Sequence, residues 1–264
     1  AGALGTNKLL RRSRDSGALG RLSPRLGRMV RTNSETITAA TSERAGADYT
    51  ASIAITASVF PDEHTHFTNN TYGRAGDLMA LNFGPLTGGH SRVRRALSSV
   101  AQTAQRPGRW LGPRRVRDWS QRTIIFTVMQ STDTALSFRP RRGLAGRLGA
   151  LQTELEPGSP APDNFIPLAN EVAEHAARRM GGYPQSSALE SLLGTPGTAH
   201  LLGGAVIGAG PQSGVVDSAQ RAFGYRNLLV TDGAAVPANP GVNPSLTITA
   251  MAERALSLVE PAAG

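Results

Sequence analysis

The 264-residue sequence has no cysteine, and of its 28 cationic residues only Lys8 is a lysine. The first absence excludes disulfides and thiolate metal sites. The second is a coding bias toward arginine more than the mark of a phosphate-binding face, where both cations usually serve. Aromatic residues make up 5%, so the basic stretches lack the stacking platforms that single-strand nucleic-acid binders interleave with charge. No apolar run approaches the roughly 20 residues of a membrane-spanning helix. A GxSxG nucleophile elbow, a Walker A lysine motif and a charged-then-apolar leader are also missing. The opening "AGALGTNKLL" has no initiator Met, as expected of a processed protein or a piece of a longer one.

What is present is ordinary for a folded chain: 39% hydrophobic and 18% charged residues, enough for one large domain or two small ones. The charge is local. Residues 1–150 hold 22 Arg and Lys8 against 9 acids, a net +14, whereas residues 151–264 hold 5 Arg against 10 acids, a net −5. The clusters "RRSR", "RPGRWLGPRRVR" and "RPRR" sit among Gly and Pro and read as solvated surface, without nucleic acid as a partner. An anionic-surface binding protein is the alternative they leave open.

Along the chain, helices are expected at Leu4–Arg14, after a Gly-rich turn, at Arg92–Gln105 and in "PLANEVAEHAARRMGG", which a glycine closes. Strands are expected in "DYTASIAITASVF" (Asp48–Phe60), "HTHFTNNTYG" and "DLMALNFG". "RTIIFTVMQS" and "TALSFRPR" are expected to pair, because Ile124, Phe126 and Val128 alternate with Ile125, Thr127 and Met129. A basic loop at 106–120 and a Pro-rich linker at 157–163 punctuate them. The fold class is α/β: a mixed sheet with helices on one face, and turns rich in small residues at both chain ends that suit a nucleotide-binding domain built from distant pieces.

Chemistry concentrates near the C-terminus. "RNLLVTDG" reads as a short strand, Leu228–Val230, ending in Asp232-Gly233. Ligands of α/β sheets bind beyond the carboxyl ends of strands, where an Asp accepts sugar hydroxyls and a Gly admits close approach. Asp-Gly is equally a common plain turn. "GVNPS" follows, with Asn243 suited to an N-cap and Pro244 to the first helical position. The helix after it would bury Ile248, Ala252, Ala255 and Val259 and point its positive end at whatever the loop surrounds. "TAHLLGGAVIG" sets His200 before paired glycines; a buried His can take a proton from an alcohol, or simply be a satisfied core residue. His64 and His66 alternate on a strand with no third ligand at sensible spacing, so no metal is expected. "GAGPQSG" (Gly208–Gly214) has the wrong spacing for a dinucleotide fingerprint, and Pro211 breaks the helix it should open.

The order "TAHLLGGAVIG", then "GYRNLLVTDGAAVPANPGVNPSLTITAMAERA", resembles the C-terminal signature of the glucose–methanol–choline (GMC) oxidoreductases, closest to the bacterial cholesterol-oxidase-like branch. "AGALGTNKLLRRSRD", "RTNSE", "ITASVFPDEHTH" and "MQSTD" are similar to stretches of the same branch. The resemblance implies FAD as cofactor and a small-molecule alcohol, sterol-like, as substrate, with peripheral membrane contact for a lipid substrate. It makes His200 the group handling the hydroxyl proton and Asn243 the partner of the hydroxyl oxygen, close to the flavin. Gly233 and Ser245 match flavin-contacting positions with Asp232 and Pro244 beside them, and Gly2–Thr6 resembles a second flavin-domain turn.

Three departures accompany it. The N-terminal dinucleotide-binding unit with its GxGxxG is missing, so the chain is expected to be a C-terminal part, inactive alone, that holds FAD weakly; a degenerate, non-catalytic homologue is the alternative. Thr68 and Asn69 stand where the branch carries a carboxylate, which argues against steroid double-bond isomerisation. Ala205 stands where the motif usually has Cys, a small apolar exchange. The expected organisation is a partial FAD-binding element at 1–15, a substrate domain at 16–197 and a catalytic and FAD-binding segment at 198–264.

Overall fold

Hydrophobic period decides most element types in the computed structural model, which describes residues 2–112, 116–147, 149–163, 165–194 and 197–260. In chain order these are α1 (Gly2–Asp15), β1 (Arg28–Arg31), β2 (Thr36–Ser42), β3 (Ser58–Val59), β4 (Thr65–Asn70), β5 (Phe83–Pro85), α2 (Arg92–Gln105), α3 (Pro107–Trp110), α4 (Trp119–Arg122), β6 (Thr123–Gln130), β7 (Leu136–Pro140), α5 (Leu144–Arg147), β8 (Leu151–Leu155), α6 (Pro167–Met180), β9 (Gly182–Ser187), β10 (Leu202–Gly204) and α7 (Ser245–Ser257). Short 3₁₀ turns span Arg74–Asn82 and Gly233–Ala235, and a π-helical turn spans Leu189–Leu193. No helix among the described residues is long and apolar enough to cross a membrane.

The class is α/β, and the chain divides into two units. One comprises Ala1–Asn33, Ser131–Ala161 and His200–Gly264. Its four-stranded sheet has the order β10-β1-β7-β8, each described pair antiparallel. Leu10 of α1 packs there with Leu22, Leu26, Val215, Val216, Val230 and Ala234 in one core. Asn7, 2% exposed, is the polar exception on that face of α1. Its Nδ2 donates to the Ala3 carbonyl at 2.8 Å and to the Gly203 carbonyl at 3.0 Å. A buried amide held by two acceptors fixes the helix against β10 more specifically than an apolar contact would.

The other unit comprises Ser34–Gln130 and Pro162–Ala199. Its sheet has the order β3-β4-β6-β2-β9-β5, again antiparallel in each described pair. Ala169, Ala173, Ala177 and Met180 form the buried stripe of α6. Small residues let the helix approach until Thr38 Oγ1 donates to the Ala169 carbonyl at 3.1 Å and Ser42 Oγ to that of Met180 at 2.9 Å. Gly181 closes α6 in the left-handed region (φ 62°), as the glycine after the helical run dictates. On the other face Ala39 and Ile125 pack with Phe83 and Trp119.

Four local expectations give way to tertiary context. Only Ser58–Val59 of the Asp48–Phe60 run joins a ladder. Residues 51–60 are exposed, so the alternation has no covered face to fill. The first six residues of "DLMALNFG" lie in a 3₁₀ turn, where Asp77 accepts the Ser120 N–H at 2.9 Å and the Ser120 hydroxyl at 2.8 Å, and only Phe83 and Gly84 enter a strand, β5. β6 and β7 do not pair: β6 lies between β2 and β4, and β7 between β1 and β8. Leu228–Val230 makes an isolated bridge with Arg221 in place of a strand. Residues 113–115 of the expected basic loop lie outside the described residues, and α3 occupies its start. Several arginines there bond inward: Arg122 donates to the carbonyls of Ser42 and Arg117 at 3.1 Å each, and Arg109 stacks over Tyr183 with its guanidinium carbon 4.3 Å from the ring centre.

Glu190, in the π-helical turn, is 5% exposed, and burial pushes its carboxyl up from 4.5 to about 7. The folded state therefore binds this proton more tightly than the unfolded chain. Stability is fully present below about pH 4.5 and declines as pH rises toward 7, by about 3 kcal/mol in all. Glu190→Gln should flatten that slope. Urea midpoints at pH 5 and pH 8 that differ as much in the variant as in the parent would contradict it.

Candidate active site

The His200 segment is shaped by a backbone constraint. β10 pairs with β1 in the register Arg31↔Leu202, Val30↔Gly203 and Arg28↔Gly204, with an irregularity between Arg28 and Val30. Gly203 and Gly204 adopt φ 76° and 85°. A Cβ at Gly203 would stand 2.1 Å from the Met29 carbonyl oxygen, and one at Gly204 2.4 Å from the Asn7 amide. Both residues must be glycine whatever the chain binds. His200 is half-buried, two residues ahead of β10, and Ala205 is fully buried in the core.

The Asp232-Gly233 turn lies against this segment. The Ala205 N–H donates to the Ala234 carbonyl at 2.9 Å. Gly233 is buried, and a Cβ there would meet Leu202 Cδ2 at 3.0 Å and Ile248 Cδ1 at 3.3 Å. Packing against its own chain thus already accounts for the glycine that the sequence reading assigned to cofactor approach. Asp232 caps the 3₁₀ turn by accepting the Ala234 N–H at 2.8 Å, and its other oxygen accepts the Thr6 hydroxyl at 2.5 Å. Thr6 belongs to the first turns of α1: Gly2–Thr6, expected as a loop, is helical. A Cβ on Gly2 would meet nothing within 4 Å, so the start of α1 faces open space.

The loop from Val236 to Pro244 is held by residues distant in sequence. Arg31, its side chain 7% exposed, donates from Nε to the Pro237 carbonyl at 3.2 Å and pairs with Asp133 at 2.7 Å. Asn33 Nδ2 donates to the Val242 carbonyl at 2.8 Å, and Asn239 Nδ2 to that of Thr132 at 3.0 Å. "RTNSE" and "MQSTD" are therefore the clamps of the C-terminal loop. Sequence reasoning noted those stretches but named none of their residues as functional. Polar residues amid small ones carried that signal, without indicating what they hold.

α7 begins one residue later than expected. Pro244 (φ −85°) is the N-cap and Ser245 the first helical residue, with no side-chain cap from Asn243. The fixed φ of proline suits either place. No acid lies in the first turn, and the first N–H groups of a helix lack intrahelical acceptors, so α7 presents a partial positive end. Asn243 is half-buried, Ser245 exposed and Ile248 half-buried against Gly233; Val259, expected on the buried face, lies beyond the helix and is 45% exposed. The arrangement thus gathers the His200 segment, Asp232-Gly233 and the start of α7 around one buried glycine.

The donor set suits an anionic, hydroxyl-bearing cofactor such as FAD. Asp232 is half-buried and retains acceptor capacity beyond its two internal bonds, α7 offers uncapped amides, and Gly2 borders open space. "GAGPQSG" closes on itself: the Ser213 and Gly214 amides both donate to the Gly210 carbonyl at 3.0 Å, and the Pro211 carbonyl accepts the Ser23 hydroxyl at 2.6 Å.

Residues 160–252 match the sequence model of the GMC oxidoreductases. A cholesterol oxidase of Mycobacterium tuberculosis is 40% identical over 267 residues, which cover 98% of this chain and 45% of that protein. A cholesterol oxidase of Acinetobacter baumannii is 35% identical, covering 98% of this chain and 46% of that protein. This chain thus spans about half the length of the curated relatives it matches. Among solved structures, a pyridoxine 4-oxidase from "Mesorbium loti" aligns with a TM-score of 0.46 at 15% identity, over 98% of this chain and 50% of that one. Residues 160–252 thus carry the GMC oxidoreductase sequence signature, and nearly the whole chain is similar to cholesterol oxidases.

Proposed function

We propose that this chain is the C-terminal part of an FAD-dependent oxidoreductase that oxidises a CH–OH group, with sterol-like alcohols as the substrate class. The observation that carries the reading is the convergence at Gly233, where Leu202 and Ile248 both touch the position of its absent Cβ. The segments bearing His200 and Asn243 are thereby tied to one buried point. When bound, FAD supplies the two-electron acceptor that such an oxidation requires. His200 takes the hydroxyl proton as its neutral imidazole. The Asn243 carboxamide donates to the hydroxyl oxygen and orients the carbinol. The start of α7, flanked by Pro244 and Ser245, favours negative charge beside it. Asp232 accepts from cofactor hydroxyls while Thr6 holds it in place, and Gly2 leaves room at the start of α1.

The reading extends to oxidation alone, without double-bond isomerisation. Thr68 is buried in the β4–β6 ladder opposite Thr127. Asn69 Oδ1 accepts the Thr56 and Ala57 N–H groups at 3.2 and 2.6 Å. Neither can shuttle a proton as a carboxylate does.

Purified alone, the chain is expected to carry no stoichiometric yellow flavin. Joined to the remaining half of the Mycobacterium tuberculosis relative, it should carry FAD, and Asp232→Ala should weaken that binding about tenfold or more. A colourless joined protein would overturn the reading. Unchanged FAD affinity in the variant would remove Asp232 from the site.

A further inference from the structure

Three residues lead into His200, and two buried carboxylates hold them. Glu35, 2% exposed, accepts the Ala199 N–H at 2.7 Å on one oxygen and the Thr198 hydroxyl at 3.1 Å on the other. Glu190 accepts the Gly197 N–H and, on Oε1, the Ile37 N–H at 3.3 Å. A Cβ on Gly197 would stand 3.8 Å from Glu190 Oε1, so the backbone passes directly over the carboxylate. All of these residues lie in the unit that ends at Ala199.

We infer that Glu35 and Glu190 are positioning residues that set the conformation of Gly197–Ala199, and through it the imidazole of His200. The role rests on the reading of His200 as the proton acceptor. Burying two carboxylates is costly unless each is hydrogen-bonded or neutralised. The charged groups facing Glu190 are Arg95 of α2, itself buried, which favours its ionised form, and Glu35 before β2, which opposes it. Arg92 of α2 adds a bond from Nε to the Gly194 carbonyl at 3.3 Å, at the end of the π-helical turn. Burial drives Glu190 to hold a proton near neutral pH, with the Glu35 charge reinforcing that shift and Arg95 opposing it. Glu35 accepts two hydrogen bonds, at 2.7 and 3.1 Å, that fix this lead-in. Loss or gain of the Glu190 proton changes the charge beneath Gly197 and so biases the same segment. The π-helical turn fits this role, since such single turns recur at functional sites.

The test needs no flavin. In isotope-labelled His200→Asn, which removes the imidazole's own titration, the Ala199 amide signal should follow a titration step near pH 7 that vanishes when Glu190→Gln is added. Glu35→Ala should speed amide exchange at Ala199 at least tenfold, and Glu35→Asp should restore part of that protection. Should Glu35→Ala fail to fold, Glu190→Gln carries the test alone. An Ala199 amide that titrates identically with and without Glu190→Gln in that background would overturn the role. In the joined enzyme, Glu190→Gln should shift the pH profile of kcat and leave KM for the alcohol within twofold. The Glu190 titration step can fail while His200 still proves essential for turnover, and the reverse also holds, so the two readings fail separately.

Discussion

His200→Ala in the enzyme completed with the remaining half of its Mycobacterium tuberculosis relative is expected to slow reduction of bound flavin by about a thousandfold. Hydride departure from an intact alcohol would leave a protonated carbonyl, a high-energy oxocarbenium ion, whereas removing the hydroxyl proton as the hydride leaves gives the neutral carbonyl. A positioned base lowers that barrier, and position is what β10 and the Gly233 turn provide for the segment bearing His200. Asn243→Ala should cost less, on the order of a hundredfold, because it removes orientation of the hydroxyl and leaves the base in place. Stopped-flow bleaching of the flavin separates the two effects from product release. Parent-like bleaching rates in both variants, with FAD still bound, would remove these residues from the chemistry.

Gly203→Ala should destabilise the unit that contains it by about 3–5 kcal/mol, a large share of what holds a domain together. At φ 76° an L-residue is strained before any contact is counted. The added methyl would then lie 2.1 Å from the Met29 carbonyl oxygen, which cannot retreat without breaking the β1–β10 ladder. Gly210→Ala is the matched control: a Cβ there meets nothing within 4 Å and no left-handed conformation is involved, so its cost should stay below about 1 kcal/mol. Urea unfolding of both variants decides the matter. A Gly203→Ala midpoint equal to that of Gly210→Ala would show that the strand accommodates the methyl.

Much of the fold was legible because it is written in local period. The residues of α1, α2 and α6 repeat near 3.6, and β6 alternates with period 2, so their types follow from neighbours within a turn or two. The residue types of the site were legible for a related reason: His200 before twin glycines and Asn243-Pro244 before an amphipathic run are contiguous patterns. Elsewhere the same reasoning misled, because alternation in Asp48–Phe60 signals a strand only where a partner covers one face, and only Ser58–Val59 has one.

By itself, then, the sequence determined α1, α2, α6 and α7, the strands β4, β6 and β7, the closing glycine of α6 and the cluster of residue types near the C-terminus, while β2 and β9 inside the larger sheet came only with the structure. Only the tertiary structure decided that β6 and β7 enter different sheets, that Asn7 and the Met29 carbonyl demand the twin glycines, and that Arg31, Asn33 and Asn239 hold the loop before α7. It alone brought Glu35 to Ala199 and Thr6 to Asp232. The physical reason is range. Periodicity is set by neighbours along the chain, whereas clearance, burial and hydrogen-bond partners are set by residues 209 positions apart in Asn33–Val242 and 226 apart in Thr6–Asp232.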